Sequence, residues 1–367
     1  MKKNFIYFSM LLFAAVLFNS CDRTTIPDDP FPSEKIEGCY VVNYGSYGKG
    51  GATISMYDYK TDKMSNSFYQ SQNNGNELLS NIQFAYYYED SVFMIGNSTD
   101  QLITVNPFIE QSLNGVTTDI ANPRFCVADG DYLYISCLGE NPDWVVMPDT
   151  YIAKYNIVTR KVEKKIMVPG GPEGLEIANG KLYVALNNKN RIAVIDLNSE
   201  VVSEIVVPAV SSYFVKDMDG NLYFTQLSTY NNSSTETGIG FINTSTDILE
   251  ATYSLENVST SYGSMIQANS DFSKIYVITS AYDASWNLTG AVSQFNVATK
   301  SFESENPISN IPGISGMAVN TNSNNDIYVF SAQSTTGAGM MKIYSATGDF
   351  EKEYSVGAFP VGAFFLK

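Results

Sequence analysis

The stretch "PEGLEIANGKLYVALNNKNRIAVIDL", residues 172–197, holds two alternating apolar strands around Asn179-Gly180, followed by a third strand. An Asn-Gly pair between alternating apolar residues is a strong signal for a two-residue β-hairpin. Nothing in the stretch has the pattern of a catalytic motif. Its regularity therefore raises the question of whether the unit occurs once or is repeated.

The segment "KLYVAL" at 181–186 has six relatives along the chain, each containing one aromatic residue at the same place. The seven aromatics are spaced 40 to 53 residues apart, which is typical of the blades of a β-propeller. In chain order they are Tyr40, Phe93, Tyr134, Tyr183, Tyr223, Tyr276 and Tyr328.

The segments around each aromatic predict four strands, a to d, in every blade. A strand that begins at a proline precedes the aromatic by 11 residues at Pro123 and Pro172, and two further strands follow, as in 191–197 and 201–208. The last segment, "FPVGAFFLK" at 359–367, resembles the start of a repeat, whereas the first blade lacks its own strand a. We therefore predict an all-β, seven-bladed β-propeller with four-stranded blades, whose ring is closed by the C-terminal strand joining the first blade.

The N-terminus has the pattern of a bacterial lipoprotein. A basic start is followed by an apolar run from Phe5 to Phe18, too short for a spanning helix of ~20 residues, and then by Cys21. This predicts a signal peptide over 1–20, a lipidated acidic tether over 21–35 that begins at Cys21, and the propeller over 36–367. The alternative is an ordinary secretory signal with a chance cysteine.

The acidic residues after Cys21 resemble the surface-export signals of Bacteroidetes lipoproteins. Asp22, Asp28 and Asp29 supply the charge within a Pro-rich, polar segment. We expect a lipid anchor in the outer membrane, with the propeller facing the cell exterior. An anchor that faces the periplasm is the alternative.

Composition narrows the function classes. The net charge is −16 with only 16% charged residues, so electrostatic attraction to nucleic acid or anionic lipid is not expected. The membrane contact would be through the lipid anchor alone. Histidine is absent, which removes Ser-His-Asp, Cys-His and His-ligated metal chemistry. We expect neither enzymatic activity nor a cofactor or metal.

Three cysteines remain after Cys21, namely Cys39, Cys126 and Cys137. A turn centred on Asp129-Gly130 would place Cys126 opposite Leu133 rather than Cys137, so a hairpin disulfide is not expected. We predict that all three are buried as small apolar residues.

The predicted strand order places the b–c loops and the d–a connections together on one end of the ring, which we call the loop face. Its b–c loops are long at 44–52, 138–150, 227–238, 280–290 and 332–340, and they contain both tryptophans. The opposite end, the turn face, has mostly tight turns. Loops carry function on a rigid scaffold, and loop aromatics offer rigid contact area with polar handles.

These features predict a ligand-binding surface on the loop face. The alternative is that each aromatic only packs its own loop onto the blade rim. The predicted ligand-binding residues are Tyr44, Tyr47, Asn76, Arg124, Trp144, Asn187, Asn188, Tyr213, Tyr230, Tyr262, Tyr282, Trp286 and Phe359.

Catalytic patterns are weak in these loops. Asp143, Asp149 and Asp283 would permit a carboxylate pair, but no spacing fixes two of them beside a scissile bond. The segment "DMDGN" at 217–221 has only the acidic start of a calcium loop and sits at a predicted turn.

The segment "GKLYVALNNKNRIAVIDLNSEVVSEIVVPAV" at 180–210 resembles the YVTN, or YncE-like, β-propeller repeat. The lipoprotein signal, length and aromatic loops are similar to those of the vitamin B12-capturing propeller lipoproteins of the BtuG type. That resemblance implies a protein that holds a cobamide, or another bulky small molecule, and passes it to a BtuB-type TonB-dependent transporter. Glycan binding or adhesion, and a protein-interaction scaffold, are the alternatives.

Overall fold

The computed structural model describes residues 36–366, apart from residues 141 and 260–262 and the side chains of 112–114. Seven antiparallel sheets follow one another along the chain, and each contains a four-stranded blade. This confirms the predicted all-β propeller with its seven blades. The predicted signal peptide, the tether and Cys21 lie outside the described residues.

Strands β1 to β15 form blades 1 to 4, with a short helix α1 after the first blade. They are β1 Gly38–Asn43, β2 Thr53–Asp58, β3 Lys63–Ser65, α1 Phe68–Gln72, β4 Ile82–Tyr88, β5 Ser91–Gly96, β6 Gln101–Val105, β7 Gln111–Thr117, β8 Pro123–Asp129, β9 Tyr132–Cys137, β10 Tyr151–Asn156, β11 Lys161–Met167, β12 Pro172–Ala178, β13 Lys181–Leu186, β14 Arg191–Asp196 and β15 Val202–Val206.

Strands β16 to β28 form blades 5 to 7, and β29 returns to blade 1. They are β16 Val210–Lys216, β17 Leu222–Leu227, β18 Gly238–Asn243, β19 Ile248–Ser254, β20 Ile266–Ala268, β21 Lys274–Tyr282, β22 Leu288–Asn296, β23 Ser301–Phe302, β24 Ile311–Pro312, β25 Ile314–Val319, β26 Ile327–Ser331, β27 Ala338–Tyr344, β28 Phe350–Ala358 and β29 Pro360–Leu366.

The C-terminal strand closes the ring, as the repeat pattern predicts. β29 pairs antiparallel with β1, from Gly38 opposite Leu366 to Asn43 opposite Pro360. It serves as the innermost strand of blade 1, whose order is β29-β1-β2-β3. Because the first and last described strands pair in one sheet, neither leaves a free edge at the junction.

The repeated aromatic residue lies in the apolar layers that hold the blades together. All seven aromatics are buried, with at most 5% of each exposed. Two of the tyrosine hydroxyls donate to nearby acceptors: Tyr183 to Asp247 Oδ1 at 2.5 Å and Tyr40 to the Ile36 carbonyl at 2.8 Å. The repeated aromatic residue thus marks the contact between neighbouring blades. A tyrosine suits this place because its ring packs in the apolar layer while its hydroxyl reaches a polar partner.

The hairpin of blade 3 differs from its predicted register. Asp129 pairs with Tyr132, so Gly130 and Asp131 form the turn and Cys126 lies opposite Ile135, not Leu133. Gly130 has a positive φ of 54°, and glycine at the first central position is the signature of a type II′ turn rather than the type I′ turn assumed from Asp-Gly. The three described cysteines, Cys39, Cys126 and Cys137, are nevertheless free and buried, as predicted.

The predicted loop 280–290 is also shorter than expected. β21 and β22 continue pairing up to Tyr282 opposite Leu288, so only residues 283–287 remain as a loop. The reason is that the Asp283 carboxylate accepts from the Ser285 and Asn287 amides and closes a tight turn, so the residues on either side can pair as a two-stranded ribbon. Within the described residues, no helix is long and apolar enough to cross a membrane.

Candidate functional site

A cleft of about 790 Å³ opens on the loop face at blades 6 and 7, and we call it the loop cleft. The β21–β22 ribbon forms one wall and the 332–335 loop the other, with Tyr282, Trp286 and Phe359 supplying aromatic surface. Its polar side chains are Ser259, Ser280, Asn287, Ser315, Gln333, Ser334 and Thr335. None of its described lining residues is Asp, Glu, Lys or Arg, although the chain carries a net charge of −16.

Trp286 is held at the tip of the ribbon by a hydrogen-bonded turn. The Trp286 amide donates to the Asp283 carbonyl at 3.0 Å, and the Asp283 carboxylate accepts from the amides of Ser285 and Asn287. The Trp286 backbone has φ of 62°, a left-handed conformation that costs a side-chain-bearing residue about 1–2 kcal/mol. The indole is 81% exposed and lies 5.9 Å from the Tyr282 ring. A bulky residue where glycine is preferred supports a functional role for the indole.

Phe359 links the loop cleft to the closure of the ring. It is the single residue between β28 of blade 7 and β29 of blade 1, and its φ is 53°. Its ring meets Tyr44 edge to face, with centroids 6.2 Å apart. Tyr44 is itself 5% exposed, so it supports the cleft from behind rather than lining it.

The innermost strands share a second feature at their loop-face ends. In six of the seven blades a one-residue β-bulge interrupts the pairing between the innermost strand and its neighbour. Bulges re-aim side chains and are frequent beside functional sites. We call the bulged residues the bulge ring; it contains Gln83, Arg124, Glu173, Tyr213, Ser315 and Val361.

An ion pair dominates the bulge ring. Arg124 Nε and Nη2 donate to the Glu173 carboxylate at 2.8 to 3.1 Å, and the Tyr213 hydroxyl donates to Glu173 Oε1 at 3.1 Å. The two charged side chains are 22% and 4% exposed. Burial alone would lower the pKa of Arg124, but the Glu173 carboxylate outweighs it and the pKa is raised. Burial and the same carboxylate raise the pKa of Tyr213, so its hydroxyl stays a donor.

The innermost strands of a propeller surround a central channel, and aromatic side chains from three of these strands pack together beside this ion pair. Phe84 and Phe125 stack with centroids 3.9 Å apart, and Phe125 contacts the Tyr213 ring at 5.9 Å. Gly263 fits against them because a Cβ there would meet Phe125 Cε2 at 2.6 Å. A cavity of about 50 Å³ beside Phe84 and Ser264 leaves room for little more than water.

A third group of predicted residues lies on the rim of blades 3 to 5. Asn188 and Asn231 both donate to the Trp144 carbonyl at 2.9 Å, and Asn232 donates to the Asn188 carbonyl at 3.2 Å. These amide bonds join the loops of three blades. The exposed apolar side chains of this rim patch are Trp144, Val145, Val146 and Tyr230.

The predicted ligand-binding residues therefore divide into separate groups. Tyr282, Trp286 and Phe359 share the loop cleft, Arg124 and Tyr213 share the bulge ring, and the rim carries Trp144, Asn187, Asn188 and Tyr230. Tyr47 and Asn76 are exposed in the connections before β2 and β4, and Tyr262 lies outside the described residues.

Sequence reasoning missed Gln83, Glu173 and Ser315. Each occupies the second position of an innermost strand, at the place where Arg124 stands in blade 3. That shared position was available in the repeat alignment and would have found them.

Two of the three carboxylates considered for hydrolysis, Asp143 and Asp283, cap their own turns. Asp143 accepts from the amides of Val145 and Val146, and these bonds hold its pKa below the usual range. Bonds from Asn287 do the same for Asp283. Asp217 accepts from the amides of Asp219 and Asn221 in the turn predicted there. The described residues contain no group of three or more His, Cys, Asp or Glu side chains placed to hold a metal ion.

Comparisons with known proteins support the fold. A quinonprotein alcohol dehydrogenase-like protein from Bacteroides thetaiotaomicron has a TM-score of 0.65 at 14% identity, covering 90% of this chain and 78% of that one. Hydrazine synthase from Kuenenia stuttgartiensis has a TM-score of 0.56 at 17% identity, covering 70% of this chain and 73% of that one. A streptogramin B lyase has a TM-score of 0.53 at 12% identity, covering 91% of this chain and 96% of that one. No curated protein matches the sequence. Residues 37–366 match the family model described as Domain of unknown function (DUF5074).

Proposed function

The chain belongs to the DUF5074 family, and we propose that it binds a bulky, neutral, oxygen-rich small molecule in the loop cleft. The observation that carries this proposal is a cleft of about 790 Å³ lined by neutral polar and aromatic side chains. Its size falls within the range of small-molecule sites, and the adjoining loop face leaves room for a ligand that extends beyond it.

A corrinoid is the ligand that we favour. It combines a large, partly apolar ring with many side-chain amides, so it suits aromatic walls beside Asn, Gln and Ser side chains. An oligosaccharide is the second candidate, because the exposed Tyr282–Trp286 pair offers the stacking surface that sugar rings use. In both cases we propose binding without chemical conversion.

The cellular setting is part of the proposal. The lipoprotein pattern around Cys21 supports an outer-membrane, surface-facing protein that passes its ligand to a TonB-dependent transporter of the BtuB type. Isolation of the tagged protein from its native membrane tests this partnership. A transporter that co-purifies would support the handover, and its absence under mild detergent would contradict it.

Calorimetry with cyanocobalamin and with cellohexaose tests the binding proposal. We expect one of them to bind the chain from residue 22 onward with micromolar or tighter affinity. Trp286→Ala should weaken that binding at least about tenfold, which corresponds to about 1.4 kcal/mol, because it removes a central aromatic contact.

Trp144→Ala is the matched control, since Trp144 is also an exposed tryptophan of a loop-face loop. It should change the affinity by less than about twofold. Lack of binding by both probes would overturn the proposed function. If Trp144→Ala loses binding and Trp286→Ala retains it, the ligand binds at the rim patch instead of the loop cleft.

A further inference from the structure

We propose that the bulge ring is a second, polar subsite in which Arg124 donates hydrogen bonds to a neutral oxygen of the ligand, an amide carbonyl or a hydroxyl. This inference rests on the proposed function, because the ring extends the same site toward the channel axis. Ser315 belongs to both the ring and the lining of the loop cleft. Tyr44, which supports Phe359 of the cleft, also lies within the electrostatic reach of Arg124.

The placement of Arg124 follows from its bulge. Pro123 pairs with Cys137 and Phe125 with Ser136, so Arg124 has no partner across the sheet. The bulge is stabilised by Ser136, whose Oγ accepts from the Phe125 amide at 3.1 Å and donates to the Glu173 carbonyl at 2.7 Å. Buried hydroxyls thus compensate for the interrupted ladder at the loop-face end of β8, where the Arg124 side chain remains 22% exposed.

The guanidinium has donors to spare. Of its five N–H groups, Glu173 takes those on Nε and one on Nη2. Among the described residues, the partner of Nη1 is Gln83 Oε1 at 3.4 Å, which is long for such a bond. The guanidinium group is rigid and planar, so the directions of its remaining N–H donors are fixed. This geometry is suited to recognising an acceptor oxygen.

The Arg124–Glu173 ion pair favours a neutral acceptor on the ligand over an anionic one. Glu173 neutralises Arg124 at close range, and the loop cleft adds no charged side chain among its described lining residues. A ligand carboxylate or phosphate would therefore gain little from Arg124 and would face the Glu173 carboxylate. A neutral acceptor receives the hydrogen bonds without that repulsion, so the ring selects amides and hydroxyls over anions.

Stability alone is a weak reason for this ion pair. A buried pair recovers about as much Coulomb energy as the desolvation of its charges costs, and apolar replacements are often as stable. Recognition of a ligand accounts for the position of the Arg124–Glu173 pair in the bulge ring, next to the loop cleft.

Titration calorimetry with matched neutral and acidic probes tests the inference. One pair is cyanocobalamin and the set of its monocarboxylates, each with one side-chain amide hydrolysed. The other pair is cellohexaose and the same oligosaccharide with its C6 hydroxyls oxidised to carboxylates. The wild type should bind the neutral member of one pair at least about tenfold more tightly than an acidic member, and the pair that binds identifies the source of the oxygen.

Glu173→Gln keeps an acceptor for Arg124 but leaves its charge uncompensated. We expect the preference for the neutral probe to fall about tenfold or to reverse, which a merely structural role of Glu173 would not produce. Arg124→Lys should weaken neutral binding, because a lysine lacks the fork. Lys154→Gln, which breaks the similarly shielded Lys154–Glu200 pair near the turn face, should change neither affinity nor preference.

The outcomes separate the two proposals. Binding that needs Trp286 but has the same affinity and preference in Arg124→Lys and Glu173→Gln would overturn the subsite alone. Failure of every probe to bind the wild type would overturn the proposed function and the subsite with it. If Glu173→Gln does not fold by circular dichroism, an unchanged affinity in Arg124→Lys still overturns the subsite.

Discussion

Tyr44 and Phe359 meet edge to face at 6.2 Å, and the Tyr44 amide donates to the Phe359 carbonyl at 2.9 Å. One residue follows the first strand of the propeller and the other precedes the last. Closure of the ring therefore also builds the inner wall of the loop cleft. A ligand bound in the cleft would in turn contact the junction of β28 and β29 with β1 and stabilise the closed ring.

The left-handed backbone of Phe359 gives a first prediction. Phe359→Ala and Phe359→Gly should both lower the free energy of unfolding by about 1–2 kcal/mol, less than for a fully buried Phe because the ring is half-buried. Of the two, the glycine variant should be at least as stable, since φ of 53° strains alanine but not glycine. Thermal unfolding measures both.

Ala358→Gly is the control for this pair. Ala358 lies in strand β28 without a positive φ, so glycine there should cost about 0.5–1 kcal/mol. A Phe359→Gly variant less stable than Phe359→Ala by a similar amount would show that the left-handed conformation carries no strain.

The close approach at Gly263 gives a second prediction. Gly263→Ala places a methyl group 2.6 Å from Phe125 Cε2 and should cost about 1–3 kcal/mol, because the stacked Phe84–Phe125 pair must shift. Gly362→Ala is the control, since its nearest neighbour, Ser264 Cβ, is 3.3 Å away. Chemical unfolding should rank the two variants in that order, and equal losses would contradict the tight channel packing.

The Arg124–Glu173 pair gives a third prediction, on stability. Glu173→Ala leaves a shielded guanidinium without its partner and should cost about 3 kcal/mol. The double variant Arg124→Met with Glu173→Met should recover most of that loss. Urea unfolding measures both, and the exposed Lys189–Glu204 pair, broken by Lys189→Ala, should cost less than about 1 kcal/mol. A Glu173→Ala loss as small as that of Lys189→Ala would mean that water screens Arg124.

Asp62 gives a fourth prediction, on pH. Lys352 at 2.8 Å and the Tyr354 and Tyr57 hydroxyls at 2.6 Å hold its pKa below the usual range, across the seam of blades 7 and 1. Because the pKa of Asp62 is lower in the folded than in the unfolded protein, its ionised carboxylate contributes to the free energy of unfolding. This contribution is complete above the unfolded pKa of about 3.9 and is lost as the pH falls through the folded pKa.

Asp62→Asn should therefore lower the melting temperature modestly at pH 7, with the difference from wild type shrinking below about pH 4. The effect is modest because the carboxylate is exposed to solvent. Asp219→Asn, at an exposed turn, serves as the control. Melting curves from pH 2.5 to 7 decide the matter, and a difference that stays constant across this range would contradict the role of the Asp62 charge.

Most of the fold could be predicted from the sequence, but the site only in part. The aromatic of each repeat, from Tyr40 to Tyr328, marks the contact between blades, and the sequence reveals it because it recurs at the same place in every repeat. The grouping of loop residues depends on neighbours from other blades. Trp144 and Trp286 look alike in sequence, yet one lies on the rim of blades 3 to 5 and the other in the cleft of blades 6 and 7.

The seven blades, their strand order and the closure by β29 follow from the sequence, because strand alternation and turn chemistry are local properties that recur in every repeat. The meeting of Arg124, Glu173 and Tyr213 in one ring follows from the folded structure alone. These residues come from three different blades, and each is brought to the channel by a bulge whose cost is compensated by buried hydroxyls such as Ser136. A bulge breaks the two-residue periodicity on which sequence reasoning rests, so the repeat alignment gives the position of these residues but not the direction of their side chains or their contacts with one another.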